Sequence, residues 1–182
     1  TSIVRDLDLD FDASRILFTG YKGTNNLFGV YEISADFSKL AKEMPYQTPA
    51  LVSPEDGKYD IQWWDGCYLP NKDQVILLGT AAYQFLPCED GNMPMAVLYR
   101  KDRKTGEVRQ LTYEQDSDYT PSITHDGRVL YTRWEYSDQP HYWSRVLMTM
   151  NPDGIGQLSV WGSNSFVPTF FYSARTIPGD PH

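Results

Sequence analysis

The sequence contains few of the residues that mark metal, haem or redox sites. Its 182 residues include two cysteines and three histidines, and neither Cys-x-x-Cys nor the haem-attaching Cys-x-x-Cys-His occurs. A zinc site would need further cysteine or histidine residues in close pairs. Three interpretations of Cys67 and Cys88 stay open: structural thiols, a disulfide, or a metal or redox ligand. We expect no cofactor and no metal in this segment.

Other absences exclude whole classes of function. No apolar run approaches the roughly 20 residues that a transmembrane helix needs, so we expect no membrane insertion. Acidic residues outnumber basic ones by 24 to 16, and the net charge of −8 argues against nucleic acid as a partner. No glycine-rich phosphate loop, nucleophile elbow or zinc-protease helix motif is present. A Ser-His-Asp arrangement leaves no fixed spacing in a sequence and stays open.

What the sequence does contain is a strand–turn–strand unit that occurs three times. Each unit opens with a polar turn and an apolar strand, and Ile16, Val75 and Val129 align at spacings of 59 and 54 residues. The second strands of the units lie at 28–33, 96–101 and 145–150. Internal repeats of this period are typical of propellers, solenoids and arrays, and four short strands per unit favour propeller blades.

The predicted fold is therefore an all-β propeller of four-stranded antiparallel blades. The blades are predicted at 1–56, 57–115 and 116–162, and the next blade is predicted to start within 163–182. Strands A to D are predicted at 5–11, 15–19, 28–34 and within 37–52 in blade one, at 65–69, 74–80, 95–101 and 107–112 in blade two, and at 118–124, 128–134, 145–151 and 156–161 in blade three. In the last segment, Ser165–Tyr172 is aligned with Ser117–Thr124 around their prolines.

The long connections predict which end of the blades carries function. The links between strands B and C are long, whereas the A–B and C–D links are short polar turns. A meander sends all its B–C links to the end where the chain crosses between blades, and long loops carry function more often than tight turns. We therefore predict a ligand site at this end, with the candidate residues Tyr83, Cys88, Glu135, Tyr136, Asp138, His141 and Arg145.

The stretch 133–145 is the richest in polar and aromatic residues. Its acidic and basic side chains could supply acid, base and anion-binding groups. The alternative is a purely structural hairpin, braced by stacked rings and by an ion pair between Glu135 and Arg145. Both interpretations stay open from the sequence alone.

An alternating acidic run occupies the first predicted strand. The spacing Asp6-x-Asp8-x-Asp10 matches the opening of a calcium-binding loop, but Phe11 and Leu17 stand where that loop needs glycine and glutamate. We therefore predict an inner strand whose aspartates face the central channel and the turns. A looser cation site is the alternative.

The repeat resembles the TolB-like propeller repeat, in which Asp-Gly-Arg-Ile-x-Phe strands precede Ile-Tyr-x-Met-Asp-x-Asp-Gly strands. The stretches 65–70, 80–88, 127–141, 150–154, 161–165 and 171–179 resemble the middle domain of the hydrazine synthase alpha-subunit family. This second resemblance covers roughly residues 57–182. It implies a six-bladed propeller, of which this chain would form about half. Ala82 stands where a second cysteine is often found in that family, so a metal or redox role of this loop is not implied.

Three functions stay open from these observations. The first is a non-catalytic binding or scaffold domain of a larger bacterial protein, which the resemblance implies is exported to the periplasm or secreted. The second is a propeller of a haem-dependent redox enzyme subunit that presents residues to haems in other domains. The third is glycan or peptide recognition through the aromatic-rich loops. In each case the rest of a longer chain, another copy or another subunit must complete the propeller.

Overall fold

The computed structural model describes residues 3–22, 27–36, 50–54, 60–71, 73–87, 90–136, 145–162, 167–168 and 170–180. Within these ranges the strands are β1 (Val4–Leu9), β2 (Arg15–Lys22), β3 (Leu27–Ser34), β4 (Ala50–Leu51), β5 (Trp63–Tyr68), β6 (Gln74–Gly79), β7 (Val97–Asp102), β8 (Val108–Gln110), β9 (Asp118–Ile123), β10 (Val129–Trp134), β11 (Arg145–Met150) and β12 (Leu158–Trp161). The same ranges contain no helix long and apolar enough to cross a membrane.

The strands form three antiparallel sheets of four, in the orders β1-β2-β3-β4, β5-β6-β7-β8 and β9-β10-β11-β12. The prediction of an all-β chain with three four-stranded antiparallel units is confirmed. The shortest strand is β4, which has only two residues, and this is the strand that was predicted only as lying within 37–52.

The first strand of each sheet lies innermost. Strand β5 packs against β1, β2 and β3 of the first sheet, and β9 packs against β5, β6 and β7 of the second. Each sheet thus presents a face to the first strand of the next sheet. Because this relation is repeated, β1, β5 and β9 lie side by side at a common centre.

The middle sheet is buried on both faces, and β6 shows why its sequence is a continuous apolar run. Val75 and Leu77 belong to a cluster shared with Leu17 and Val30 of the first sheet. Their neighbours Ile76 and Leu78 belong to a second cluster, shared with strands of the third sheet. Successive side chains of a strand point to opposite faces, so a strand between two packed faces has no polar position.

The first and third sheets leave large apolar side chains exposed. On and just after β1, the exposed fractions of Leu7, Leu9 and Phe11 are 65%, 52% and 58%. In β12, the side chains of Leu158 and Trp161 are 60% and 54% exposed. This contrasts with the middle sheet, where five of the six residues of β6 are buried. The ends of the sheet stack are thus open apolar surfaces.

Each innermost strand contains the same β-bulge. Strands β1, β5 and β9 have one residue more than their partner strands between consecutive paired positions. The residue at this point has a left-handed backbone in each strand, with φ of 54° at Asp6, 50° at Asp65 and 47° at Thr120. The next segment repeats the feature at Ser173, where φ is 54°.

Ser173 therefore takes the place that corresponds to Thr120. The predicted alignment of the two segments around their prolines was wrong, because it matched Pro168 to Pro121. The physical reason is a hydrogen bond: the backbone N–H of Ser173 donates to Oγ1 of Thr120 at 3.1 Å.

Similar hydrogen bonds join the earlier sheets. The N–H of Tyr68 in β5 donates to Oδ2 of Asp8 in β1 at 2.9 Å, and the N–H of Asp65 donates to Oγ1 of Thr19 in β2 at 3.0 Å. In every case a side-chain oxygen of one sheet accepts a backbone N–H from the inner strand that follows. We call these contacts the inter-sheet latches.

Candidate functional site

The structure describes four of the predicted site residues: Tyr83, Glu135, Tyr136 and Arg145. The other three, Cys88, Asp138 and His141, lie outside the described residues. Tyr136 and Arg145 flank the long link between β10 and β11, and they come together around one tryptophan. Arg145 is the first residue of β11 and pairs with Trp134, the last residue of β10.

Arg145 lies among three aromatic rings. Its guanidinium carbon is 4.1 Å from the centroid of the Trp134 ring, 5.7 Å from that of Tyr119 and 6.0 Å from that of Phe170. The face of an aromatic ring carries negative potential and attracts a cation. Arg145 is therefore held in place by rings from strands β9 and β10 and from the segment after β12.

Tyr136 and Asp116 border this group, which we call the Arg145 cluster (Asp116, Tyr119, Trp134, Tyr136, Arg145 and Phe170). The Tyr136 ring meets Trp134 edge to face, with centroids 5.9 Å apart. Its backbone N–H donates to Oδ2 of Asp116 at 3.0 Å. Burial raises the pKa of Asp116, although this hydrogen bond and the charge of Arg145 oppose the shift.

Two buried polar atoms of the Arg145 cluster have no hydrogen-bond partner among the described residues. They are Oδ1 of Asp116 and Nε1 of Trp134, an acceptor and a donor. Next to them the cluster presents exposed aromatic surface: Tyr136 is 44% exposed and Phe170 is 53% exposed. The Phe170 ring also stacks on Tyr172, with centroids 5.9 Å apart.

The remaining predicted residues occupy other positions. Tyr83 lies in the 81–94 link of the second sheet, is 54% exposed and has a left-handed backbone with φ of 53°. Burial raises the pKa of the nearby Tyr99 phenol, and the side chains of Tyr113 and Tyr83 raise it further. Glu135 is exposed.

Sequence reasoning missed Asp116, Tyr119 and Phe170 as members of the cluster. Asp116 and Tyr119 flank the start of strand β9, at the end of the sheet from which the 135–144 link leaves. Phe170 makes a parallel bridge with Arg145. A search for polar and aromatic residues at the starts of the A strands would have found the first two.

A second concave site lies where the innermost strands meet. This axial cavity has a volume of about 210 Å³ and is lined by Asp8, Leu9, Phe11, Cys67, Tyr68, Ser122, Ile123, Arg175 and Thr176. Its lining residues lie just before or within the A–B turns, so it lies toward the end opposite the predicted ligand face. None of the four described candidates lines it. Cys67 is buried and forms no disulfide.

The chain is similar in structure to several solved proteins. It superimposes on the putative TolB from Agrobacterium tumefaciens with a TM-score of 0.62, over 88% of this chain and 49% of that one, at 13% identity. It superimposes on Kuenenia stuttgartiensis hydrazine synthase with a TM-score of 0.65, over 87% of this chain and 25% of that one, at 13% identity. Puromycin hydrolase aligns over 88% of this chain and 22% of its own, with a TM-score of 0.55 and 10% identity.

The chain is part of a β-propeller. The resemblance to TolB-like propellers is confirmed for the fold. Sequence identities of 10% and 13% support a similarity of fold alone. The chain spans about half of the TolB protein and a quarter of hydrazine synthase. No protein-family model matches the sequence, and no curated protein matches it.

Between the second and third blades the propeller buries an ionic network. Asp118 has no exposed surface, and Oγ1 of Thr112 donates to its Oδ2 at 2.5 Å. Nε of Arg133 lies 3.6 Å from Asp118 Oδ1, and Nη2 of Arg133 is 2.9 Å from a carboxylate oxygen of Glu114. Burial raises the pKa of Asp118 to about 7, while Thr112 and Arg133 oppose the shift.

Proposed function

We propose that this chain is a non-catalytic binding domain of a larger exported protein, and that it binds an extended peptide segment at the end of the propeller that carries the B–C links. The observation that carries this proposal is the Arg145 cluster. It combines a guanidinium fixed by three rings, exposed aromatic surface, and an unpartnered acceptor and donor. Tyrosine, tryptophan, phenylalanine and arginine are the residues enriched in protein interfaces.

The chemistry of the cluster favours a peptide over other ligands. A peptide backbone offers N–H and C=O groups, which match the open Oδ1 of Asp116 and Nε1 of Trp134. Trp134 itself is only 8% exposed, so its ring face is not available for stacking on a sugar. Apolar side chains of the peptide would lie on Tyr136 and Phe170.

The scaffold part of the proposal concerns the open ends of the sheet stack. Further blades of the same polypeptide would cover the exposed side chains of Leu7 in β1 and of Leu158 and Trp161 in β12. The 49% coverage of the TolB chain supports this arrangement, because about half of that chain has no counterpart here. Export rests on the resemblance to hydrazine synthase alpha-like proteins stated above. Detection of the full-length protein in a cell-envelope or secreted fraction tests it.

The binding experiment uses the full-length protein that contains this domain. A peptide-display library is selected against it, and the affinities of the enriched peptides are measured for Arg145→Ala, Tyr136→Ala and Lys104→Ala. Lys104 pairs with Asp73 on the turns at the opposite end, at 2.7 Å, and serves as the matched control. We expect Arg145→Ala and Tyr136→Ala each to weaken binding by about tenfold or more, typical of interface anchors, and Lys104→Ala to leave it unchanged.

Arg145→Ala removes a cation from among three rings, so its thermal unfolding is measured in parallel. Tyr136→Ala, at an exposed position, separates loss of binding from loss of folding. Normal binding by both variants, or loss of binding in Lys104→Ala, would show that the ligand face was assigned to the wrong end. Binding of oligosaccharides on a glycan array, with no peptide enriched from the library, would show that the ligand is a glycan. A Soret band in the purified protein would favour the haem-dependent redox function.

A further inference from the structure

We propose that the axial cavity binds a small zwitterion of amino-acid size, whose carboxylate pairs with Arg175 and whose ammonium pairs with Asp8. This site is separate from the Arg145 cluster and does not depend on it. The argument uses the position, the charges and the size of the cavity.

The repeat itself brings the polar lining residues together. Asp8, Cys67, Ser122 and Arg175 each stand two residues after the left-handed residue of their inner strand or segment. Equivalent positions of successive inner strands lie at the same height along the propeller axis. Four different side chains therefore meet in one layer of the cavity: a carboxylate, a thiol, a hydroxyl and a guanidinium.

Arg175 is oriented by a contact on one side only. Its Nη1 donates to the carbonyl oxygen of Pro121 at 3.1 Å, and this is its one hydrogen bond within the described part of the chain. A guanidinium has five N–H donors in a planar fork, which suits bidentate binding of a carboxylate. The other donors remain available to a ligand, and Arg175 lines the cavity while staying exposed to solvent.

Asp8 supplies the opposite charge. Its Oδ2 accepts the N–H of Tyr68, which fixes the carboxylate at the wall of the cavity. Burial raises the pKa of Asp8, while the hydrogen bond from Tyr68 and the charge of Arg175 lower it. Within the cavity an ammonium group would relieve the desolvation of this carboxylate.

Ser122 does not compete for the ligand carboxylate. Its Oγ donates to the carbonyl oxygen of Ala174 at 2.9 Å, so its proton is already used. The hydroxyl oxygen is left as an acceptor, a second partner for an ammonium group.

The size and the walls restrict the ligand further. A volume of about 210 Å³ corresponds to roughly seven waters at the liquid value of about 30 Å³ each, which leaves room for one free amino acid. Leu9, Phe11 and Ile123 form the apolar part of the lining. A ligand with two opposite charges and an apolar side chain fits the charges, the walls and the size of the cavity.

A compound with only one of the two charges should bind less well. Propionate would leave Asp8 without a cationic partner, and ethylamine would leave Arg175 without an anionic one. A desolvated group that loses its partner costs free energy that the remaining contact does not recover. Discrimination against both half-molecules is thus the signature of the proposed site.

The test measures binding of L-alanine, propionate and ethylamine to the full-length protein by calorimetry. We expect L-alanine to bind at least about tenfold more tightly than either half-molecule, as for loss of one charged hydrogen bond. Asp8→Asn and Arg175→Gln are expected to weaken L-alanine binding by about tenfold or more. Asp8→Asn keeps an oxygen that can accept the N–H of Tyr68, so the inter-sheet latch is retained.

Lys104→Ala is the matched control, since Lys104 is an exposed residue paired with Asp73 and does not line the cavity, and it should leave L-alanine binding unchanged. Thermal unfolding of every variant is recorded beside the titrations. Three results would overturn the proposal: no binding of L-alanine at 50 mM, equal binding of propionate or ethylamine, or unchanged affinity in both site variants. Loss of peptide binding with normal L-alanine binding would contradict the proposed function and leave this inference standing.

Discussion

Asp118 is the residue whose environment has the clearest consequence for pH. Its pKa is about 7 in the folded propeller because it is wholly buried, against an ordinary value of 3.8. The folded state therefore holds more protons than the unfolded state between these two values. The contribution of Asp118 to the free energy of unfolding is largest below about pH 4, and this contribution is lost as the pH rises toward 7.

We expect Asp118→Asn to flatten this pH dependence. In the native protein the free energy of unfolding should fall between pH 4 and pH 7, by at most about 1.4 kcal/mol per pH unit for one group. Asp65, whose pKa burial also raises to about 7, adds a similar slope. Urea unfolding of both proteins at pH 4.5, 5.5 and 6.5 measures the difference. Equal slopes would show that Asp118 is ionised in the folded state throughout this range.

Asp102 and Asp126, whose pKa values are lowered, do not change the stability between pH 4 and pH 7. The pKa of Asp102 lies below 3.8 because backbone N–H groups and Gln74 bind its charged form, and that of Asp126 lies below 3.8 chiefly through Thr124. Their contributions are present above pH 4 and are lost only as the pH falls further.

Some residues of the candidate site could be predicted from the sequence, and others could not. Tyr136 and Arg145 were predictable because they flank a long link at a known end of the meander. The ring partners of Arg145 were not, since Tyr119 and Phe170 reach it through the packing of separate strands. The axial cavity was also missed, although the alternating Asp6-x-Asp8-x-Asp10 run correctly indicated an inner strand.

Strand β5 shows how tightly the blades approach each other. A methyl group built on Gly66 would lie 2.7 Å from Cδ2 of Leu17 and 3.1 Å from Cγ1 of Val30, both in the first blade. It would also lie 3.1 Å from Cδ2 of Leu77 in its own blade. The inner strand can sit this close to its neighbour only because this residue has no side chain.

We expect Gly66→Ala to destabilise the protein by about 1–3 kcal/mol through overpacking. Gly20→Ala in β2 is the matched control, because there the nearest atom to the new methyl would be 3.5 Å away, an ordinary contact. The control should be neutral or slightly stabilising. Chemical denaturation of the two variants measures both effects. A Gly66→Ala protein as stable as the native one would show that the first two blades can move apart without cost.

Most strands could be located from the sequence, and the reasons are physical. Five of the six residues of β6 and all six of β10 are buried, and both strands contain runs of apolar residues, so their positions were clear. β4 has few contacts to specify it and could be given only a broad range. The register of the segment around Ser173 depends on a hydrogen bond to Thr120, a tertiary contact that no local pattern encodes.

The open apolar ends of the sheet stack determine how the isolated segment should behave. Exposed patches of this kind are uncommon on stable monomers. Residues 1–182 expressed alone are therefore expected to self-associate or to unfold without a cooperative transition, and the full-length protein to do neither. Size-exclusion chromatography with light scattering, together with thermal unfolding of both proteins, provides the measurement. A monodisperse, cooperatively folding monomer of the segment would contradict the need for further blades.

The inter-sheet latches have a consequence for how such a chain can diverge. In each latch the earlier blade contributes a particular side chain, such as Asp8, Thr19 or Thr120, while the later blade contributes only a backbone N–H. Every residue except proline carries that group. A duplicated blade could therefore change its inner-strand side chains and still form its hydrogen bonds to the preceding blade. Blades can therefore be duplicated and their side chains near the axis can change rapidly. Proline at a donor position is the substitution that would remove the contact.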